Sequence, residues 1–130
     1  SDVEPLAASL ATFDERALRH RLSGDEALMT DVVRVFLEDL PARLAAIHAA
    51  VTARDADALH EAAHALKGAA GNLSAGGLFE AARALERIAA ESHMDAAAAA
   101  WRQLSVEAAN VIDVLRRPFT SPEEPRSCAS

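Results

Sequence analysis

The chain has 130 residues, which fits one domain able to bury its own core without disulfide bridges. Its formal net charge of −7 argues against nucleic-acid binding, because proteins of that class present an excess of Lys and Arg. Hydrophobic residues make up 51% and aromatic residues only 4%, a composition that favours helices over sheets.

Membrane insertion and secretion are both unexpected. The single cysteine, Cys128, lies in a polar tail, so no internal disulfide can form. No apolar stretch approaches the roughly 20 residues that span a bilayer, and Asp2 and Glu4 stand where a signal peptide is basic. We therefore expect a cytoplasmic location. Because the chain begins with Ser1 rather than Met, we also expect a processed product or a piece of a longer protein.

The first elements in chain order are a leader and a short helix. Residues 1–12 are weakly patterned, and Pro5 limits any helix there to a short one. A short helix is predicted from the N-cap Asp14 to Leu22. The run Ser23-Gly24-Asp25 then indicates a stop followed by a second N-cap.

The next two helices are long. The first is predicted to turn these residues to the core at three- and four-residue intervals: Leu28, Val32, Phe36, Leu40, Leu44, Ile47 and Val51. Pro41 lies inside it and predicts a bend without a break. Asp55 or Asp57 is predicted to cap the following helix, which should end between Asn72 and Ala75.

A loop over residues 74–77, marked by Gly76-Gly77, precedes two further amphipathic helices. The first should close near residues 91–93, and the second should run from Asp95 to Pro118. Phe79 and Trp101 are predicted to be core residues on them. The apolar residues that should face the core are Leu78, Ala82, Leu85, Ile88 and Ala89 on the first of these helices. On the second they are Trp101, Leu104, Ala108, Val111 and Leu115.

Short connections between long amphipathic helices favour antiparallel packing of neighbours. The predicted fold is all-α: an antiparallel up-down four-helix bundle with a short extra N-terminal helix. The bundle domain is predicted over residues 13–118, after the leader 1–12. Residues 119–130 are predicted to be a disordered tail.

The most informative segment is the helix around His64. One side of this helix is an apolar stripe made of Leu59, Ala63, Leu66, Ala70 and Leu73. The opposite flank carries His60, His64, Lys67, Gly68, Gly71 and Ala75. A glycine inside a helix costs up to about 1 kcal/mol relative to alanine. We interpret Gly68 and Gly71 as giving a partner's backbone access to the exposed imidazole. Lys67 is placed to stabilise an anion such as a phosphoryl group there.

The motif His64-x-x-Lys67-Gly68, followed by Gly71-Asn72-Leu73, resembles the core motif of histidine-containing phosphotransfer (HPt) domains. Further similar residues are Phe13-Asp14, Gly24-Asp25, Phe36-Leu37-Glu38-Asp39-Leu40, Asp55-Ala56-Asp57 and Ala84-Leu85-Glu86. The resemblance covers most of residues 13–116. Ala75 departs from it, because many members have glycine there, although a small residue still leaves the docking face open.

The resemblance implies that His64 accepts a phosphoryl group on Nε2 from a receiver-domain aspartate and passes it to another receiver. Lys67 would stabilise that group, and Gly68, Gly71, His60 and Ala75 would form the docking face. It implies a monomeric carrier without kinase activity or cofactor, with Mg on the receiver. The chain would be free-standing or the HPt module of a hybrid sensor kinase.

Two alternatives compete with this interpretation. His60-Glu61-x-x-His64 is a literal H-E-x-x-H, the helical signature of zinc metalloproteases, with Glu80 or Glu86 conceivable as a third ligand. Lys67 would repel the metal, and an all-helical bundle offers no strand for a peptide substrate.

The other alternative is an interaction bundle that has lost the chemistry. Such a bundle would be expected to lose His64 or Lys67 first, and both are present.

Overall fold

The structure is a computed structural model and describes residues 12–117. These residues form five α-helices and no strand: α1 (Glu15–Arg21), α2 (Glu26–Ala53), α3 (Ala56–Leu73), α4 (Gly76–Ala90) and α5 (Ala97–Leu115). A 3-10 turn, Met94–Ala96, leads into α5. Residues 1–11 of the predicted leader and the predicted tail 119–130 lie outside the described residues.

An aspartate side chain caps the N-terminus of each of the first three helices. Asp14, Asp25 and Asp55 each accept a hydrogen bond, at 3.0 to 3.1 Å, from the backbone N–H three residues ahead. Each bond satisfies one of the backbone donors that a helix start leaves unpaired. The predicted caps Asp14 and Asp25 are confirmed, and of the two candidates for α3 it is Asp55 that caps the helix.

Helix α2 continues through Pro41 as one element, so the prediction that Pro41 does not break it is confirmed. The predicted core stripe holds at Phe36, Leu40 and Ile47 but is wrong in the first turn. Leu28 is 43% exposed there, and its neighbour Met29 is fully buried. Both positions satisfy a helical period, so only packing against the other helices could choose between them.

The connection between α3 and α4 is shorter than predicted, because only Ser74 and Ala75 lie between the helices. Ser74 takes a left-handed conformation (φ 69°), while Gly76 and Gly77 belong to the first turn of α4. This conformation ends the helical repeat of α3, so Ala75 no longer follows the period of the helix and points towards the core. The prediction that Ala75 lies on the exposed flank is therefore wrong, since Ala75 is fully buried.

Helices α2 to α5 pack as a bundle, in which each helix contacts the next and α5 also contacts α2. The core is built largely from leucines and alanines. Its large side chains include the nearly or fully buried Leu40, Leu59, Leu66, Leu73, Leu78, Leu85 and Leu104. Phe79 and Trp101 are only half-buried, packed against the core from its edge. None of the helices in residues 12–117 is long and apolar enough to cross a bilayer.

Candidate functional site

The burial pattern of α3 places His64 at the surface. The whole predicted stripe of α3 is buried: Leu59, Ala63, Leu66, Ala70 and Leu73. With that side fixed against the core, the side chain of His64 is 65% exposed. The predicted exposure of His64 is confirmed, and it follows from the helical period once the apolar stripe is buried.

Glu86 of α4 joins three side chains of α3. Its Oε2 lies 2.6 Å from Nδ1 of His64, and its Oε1 lies 2.7 Å from Nζ of Lys67. The same Oε2 is 3.9 Å from Nε2 of His60. The carboxylate is 15% exposed, so it sits in the seam between the two helices beneath the exposed imidazole. One residue of α4 thus organises three positions of the predicted site.

The contact with Glu86 fixes the tautomer of a neutral His64. An ionised carboxylate can only accept hydrogen bonds, so the proton of the neutral ring must be on Nδ1, which donates it to Oε2. Nε2 is then unprotonated, and it makes no hydrogen bond or ion pair within residues 12–117. His64 therefore presents a free lone pair on an exposed ring.

Lys67 keeps Glu86 ionised. The hydrogen bond from Lys67 is the main cause of the lowered pKa of Glu86, and His64 adds to it, while partial burial of the carboxyl acts in the opposite direction. Lys67 itself is 24% exposed. Its ammonium group is therefore held at the site by the same carboxylate that orients the histidine.

The predicted docking residues have different surroundings. Gly68 is exposed, and an added Cβ would meet nothing within 4 Å among the described residues outside its own helix. At Gly71 a Cβ would lie 3.3 Å from Cδ1 of Phe79, so Gly71 belongs to the seam between α3 and α4. His60 is exposed beside His64, with parallel rings 6.4 Å apart. Gly68 and His60 thus remain at the open surface, unlike the buried Ala75.

Sequence reasoning missed a contact that holds the end of α3. Arg21 of α1 donates hydrogen bonds to the backbone carbonyls of Gly71 and Asn72 and to Oγ of Ser74. These carbonyls belong to the last turn of α3, where the N–H partners four residues ahead are missing. The carbonyl of Gly71 also accepts a hydrogen bond from the backbone N–H of Ser74. Nothing in the local pattern around Arg21 signals a contact made 50 residues away.

The H-E-x-x-H alternative gains no geometric support. Glu86, a conceivable third ligand, does lie beside both histidines, but its second oxygen is bound to the Lys67 ammonium. A metal ion would have to share the carboxylate with that cation. Within the described range 12–117, no group of three or more His, Cys, Asp or Glu side chains is arranged to hold a metal ion.

Comparison with known proteins agrees with the geometry. Residues 31–116 match the family model of the Hpt domain. The chain is similar to the crystal structure of histidine-containing phosphotransfer protein B (HptB) from Pseudomonas aeruginosa PAO1, with 30% identity and a TM-score of 0.75 over 81% of this chain and 91% of that one. No curated protein matches the sequence. The chain therefore belongs to the Hpt-domain family of histidine phosphotransfer proteins, which act in phosphorelays.

Proposed function

We propose that His64 is the phosphoryl acceptor, that it receives the group on Nε2 from an aspartyl phosphate of a receiver domain, and that it passes it to an aspartate of a second receiver. The observation that carries this proposal is the 2.6 Å contact between Nδ1 and Glu86. It leaves Nε2 as an unprotonated nucleophile on a ring that is 65% exposed.

The transfer balances without a further reactant. The lone pair of Nε2 attacks phosphorus, and the bond between phosphorus and the aspartyl oxygen breaks, which returns the aspartate as a carboxylate. The substituted ring gains positive charge, and its Nδ1–H strengthens the hydrogen bond to Glu86. The reverse reaction delivers the group to the next aspartate.

Lys67 supplies a positive charge for the incoming group. In the present arrangement its ammonium is bound to Oε1 of Glu86 at 2.7 Å. A phosphoryl group on the neighbouring His64 offers three anionic oxygens, and we infer that Lys67 shifts towards them. Glu86 then retains its bond to His64, so the ring keeps its orientation throughout the transfer.

Access to His64 is provided on the Gly68 side. The space beyond the Cα of Gly68 is open, and His60 lies on the other side of the imidazole along α3. We propose that the receiver's active-site loops approach over Gly68. The metal ion for the reaction, Mg²⁺, would be held by the receiver, and this domain would have no kinase activity of its own.

The test is phosphotransfer from a panel of phosphorylated receiver domains. We expect acid-labile phosphate on the wild-type protein and none on His64→Gln. His93→Gln is the matched control, because His93 is also an exposed histidine near a glutamate, with Nδ1 3.4 Å from Glu91. Labelling that persists on His64→Gln would contradict the assignment. The same panel identifies the partner receivers, in a hybrid kinase or in a separate regulator.

A further inference from the structure

The exposed side of α3 carries two acidic residues in line with His64. Asp57, Glu61, His64 and Gly68 follow one another at spacings of four, three and four residues, so they lie along one face of the helix. All four are exposed. Asp57 belongs to the first turn of α3, where a carboxylate also stabilises the helix dipole. Glu61 lies beyond that turn, and its carboxylate forms no hydrogen bond or ion pair within residues 12–117.

The outer side of α4 carries a basic pair. Arg83 and Arg87 are four residues apart, both are exposed, and they line a small surface cleft together with Glu80. Arg83 donates two hydrogen bonds to Oε1 of Glu80, at 3.0 Å from Nε and 2.8 Å from Nη2. The guanidinium of Arg87 forms no hydrogen bond or ion pair in the part of the chain that the structure describes. Arg87 is therefore the cation of the pair that is available to a partner.

The contact between α3 and α4 places this basic pair beside His64. Glu86 of α4 contacts the imidazole, and Arg87 follows Glu86 directly, rotated by about 100° around the helix axis. Leu85, on the other side of Glu86, is fully buried, so the rotation carries Arg87 away from the core and towards solvent. Arg83 lies on the same outer side, one turn earlier. Solvent-facing cations thus border the site on α4.

The surface around His64 has a direction of charge. Glu61 borders the histidine along α3, and Arg87 borders it on α4, and neither charge is paired within residues 12–117. The net charge of the chain is −7, so its average field is negative and carries no orientation. Charges within about 8 to 10 Å of a docked protein, the screening length near physiological salt, act on it individually. The two charges can therefore distinguish partners of equal net charge.

We propose that Glu61 and Arg87 are specificity-determining residues, which select a receiver whose surface is basic where it covers the N-terminal half of α3 and acidic where it covers α4. This inference rests on the proposed role of His64 and adds the orientation of its partner. Charges at the rim of an interface mainly affect the rate of association and its salt dependence. Reversing the two charges should therefore slow docking and leave the chemistry at His64 unchanged.

The test reverses the direction of charge without changing the net charge of the chain. The double variant Glu61→Lys/Arg87→Glu is compared with wild type in the second-order rate constant for transfer from the receiver that phosphorylates wild type fastest. We expect transfer to be about tenfold slower at about 50 mM salt, and within about twofold of wild type at about 0.5 M salt. A wild-type rate at low salt, or equal slowing at both salt concentrations, would overturn the proposal.

Arg102→Glu/Asp113→Lys is the matched control. It makes the same two charge reversals at exposed positions of α5, which lies diagonally across the bundle from α3. Lysine and glutamate are good helix formers, so both double variants should fold. The control should transfer at the wild-type rate. Slowing as large as that of Glu61→Lys/Arg87→Glu would show that the location of the charges does not matter and would overturn the proposal.

Phosphoramidate, a small phosphoryl donor that needs no docking surface, tests the chemistry of His64 separately. Wild type and Glu61→Lys/Arg87→Glu should be labelled on His64 at the same rate, with the site located by mass spectrometry. Slower labelling of the double variant would mean that the reversed charges act on the imidazole itself, which would overturn the docking role.

The proposed function can fail independently of this inference. A wild-type protein that accepts no phosphate on His64 from any receiver of the panel would contradict the proposed function. Titration calorimetry with the unphosphorylated receivers then tests the two charges without any transfer. Weaker binding by Glu61→Lys/Arg87→Glu at low salt would support the inference, and binding equal to that of wild type would overturn it.

Discussion

Gly71 faces the ring of Phe79 across the seam between α3 and α4. A methyl group on its Cα would come within 3.3 Å of Cδ1 of that ring. Gly68, one turn earlier, would place its methyl group in open space. The two glycines of the motif thus have different roles, although their spacing put both on one flank of the helix: Gly68 leaves the surface open, and Gly71 lets two helices approach.

This difference predicts the effect of alanine at each position on stability. Gly68→Ala should raise the free energy of unfolding by up to about 1 kcal/mol, because alanine is the better helix former and meets nothing. Gly71→Ala should raise the free energy of unfolding by less, because the ring of Phe79 must move by a few tenths of an ångström to make room for the methyl group. Urea denaturation of both variants measures the difference. An equal increase in the free energy of unfolding for both variants would show that the ring of Phe79 moves without loss of stability.

Gly68→Gln separates access from stability. The variant should be folded and at least as stable as wild type, because glutamine is also a better helix former than glycine. Transfer should slow by about tenfold or more, which corresponds to roughly 1.4 kcal/mol of lost docking energy. Ala99→Gln, an exposed position on α5, is the control for the added side chain. A Gly68→Gln variant that transfers at the wild-type rate, or that is much less stable, would contradict the docking role of Gly68.

The lowered pKa of Glu86 predicts how its contribution to stability depends on pH. The unfolded chain has an ordinary glutamate pKa, so the stabilisation is fully present above about pH 4.3 and is lost as pH falls through the lowered pKa of the folded state. Glu86→Gln removes this dependence. The difference in unfolding free energy between wild type and Glu86→Gln should therefore shrink as the pH falls below about 4. Glu61→Gln, at an exposed position on α3, serves as the control and should show no such trend.

Arg21→Ala should loosen the end of α3. The substitution removes the hydrogen bonds to the carbonyls of Gly71 and Asn72, and we expect a loss of about 1 kcal/mol in the free energy of unfolding. Arg16→Ala is the matched control, because Arg16 is an exposed arginine on the same helix. Hydrogen exchange should show faster opening of the last turn of α3 in Arg21→Ala alone. Equal behaviour of the two variants would mean that the exposed contacts of Arg21 contribute no stability.

A metal analysis tests the H-E-x-x-H alternative directly. We expect protein purified without an affinity tag to contain no stoichiometric zinc, because Lys67 holds the carboxylate that a metal bound by the two histidines would need. Elemental analysis before and after dialysis against a chelator measures this. One tightly bound zinc that is lost in His60→Ala would favour the metalloenzyme interpretation.

Local sequence was sufficient for the helices and for the face that carries the motif. The aspartate caps act within three residues of the helix start, and the apolar stripe of α3 repeats at the helical period, so both can be read without knowing the rest of the fold. The exposure of His64 followed from that stripe. Family resemblance added the chemistry, through the spacing of His64, Lys67 and Gly68.

The tertiary structure decided how the site works. Glu86 contacts His64 across 22 residues of sequence, and Phe79 lies against Gly71, because α4 packs against α3 in one particular rotation and register. Arg21 contacts Gly71 across 50 residues because α1 lies at the end of α3. Ala75 is buried instead of lying on the predicted exposed flank, because α3 ends at Ser74, which has a left-handed backbone conformation. Helical periodicity describes one helix at a time and sets neither the rotation between helices nor the end of each, so these contacts had no local signal in the sequence.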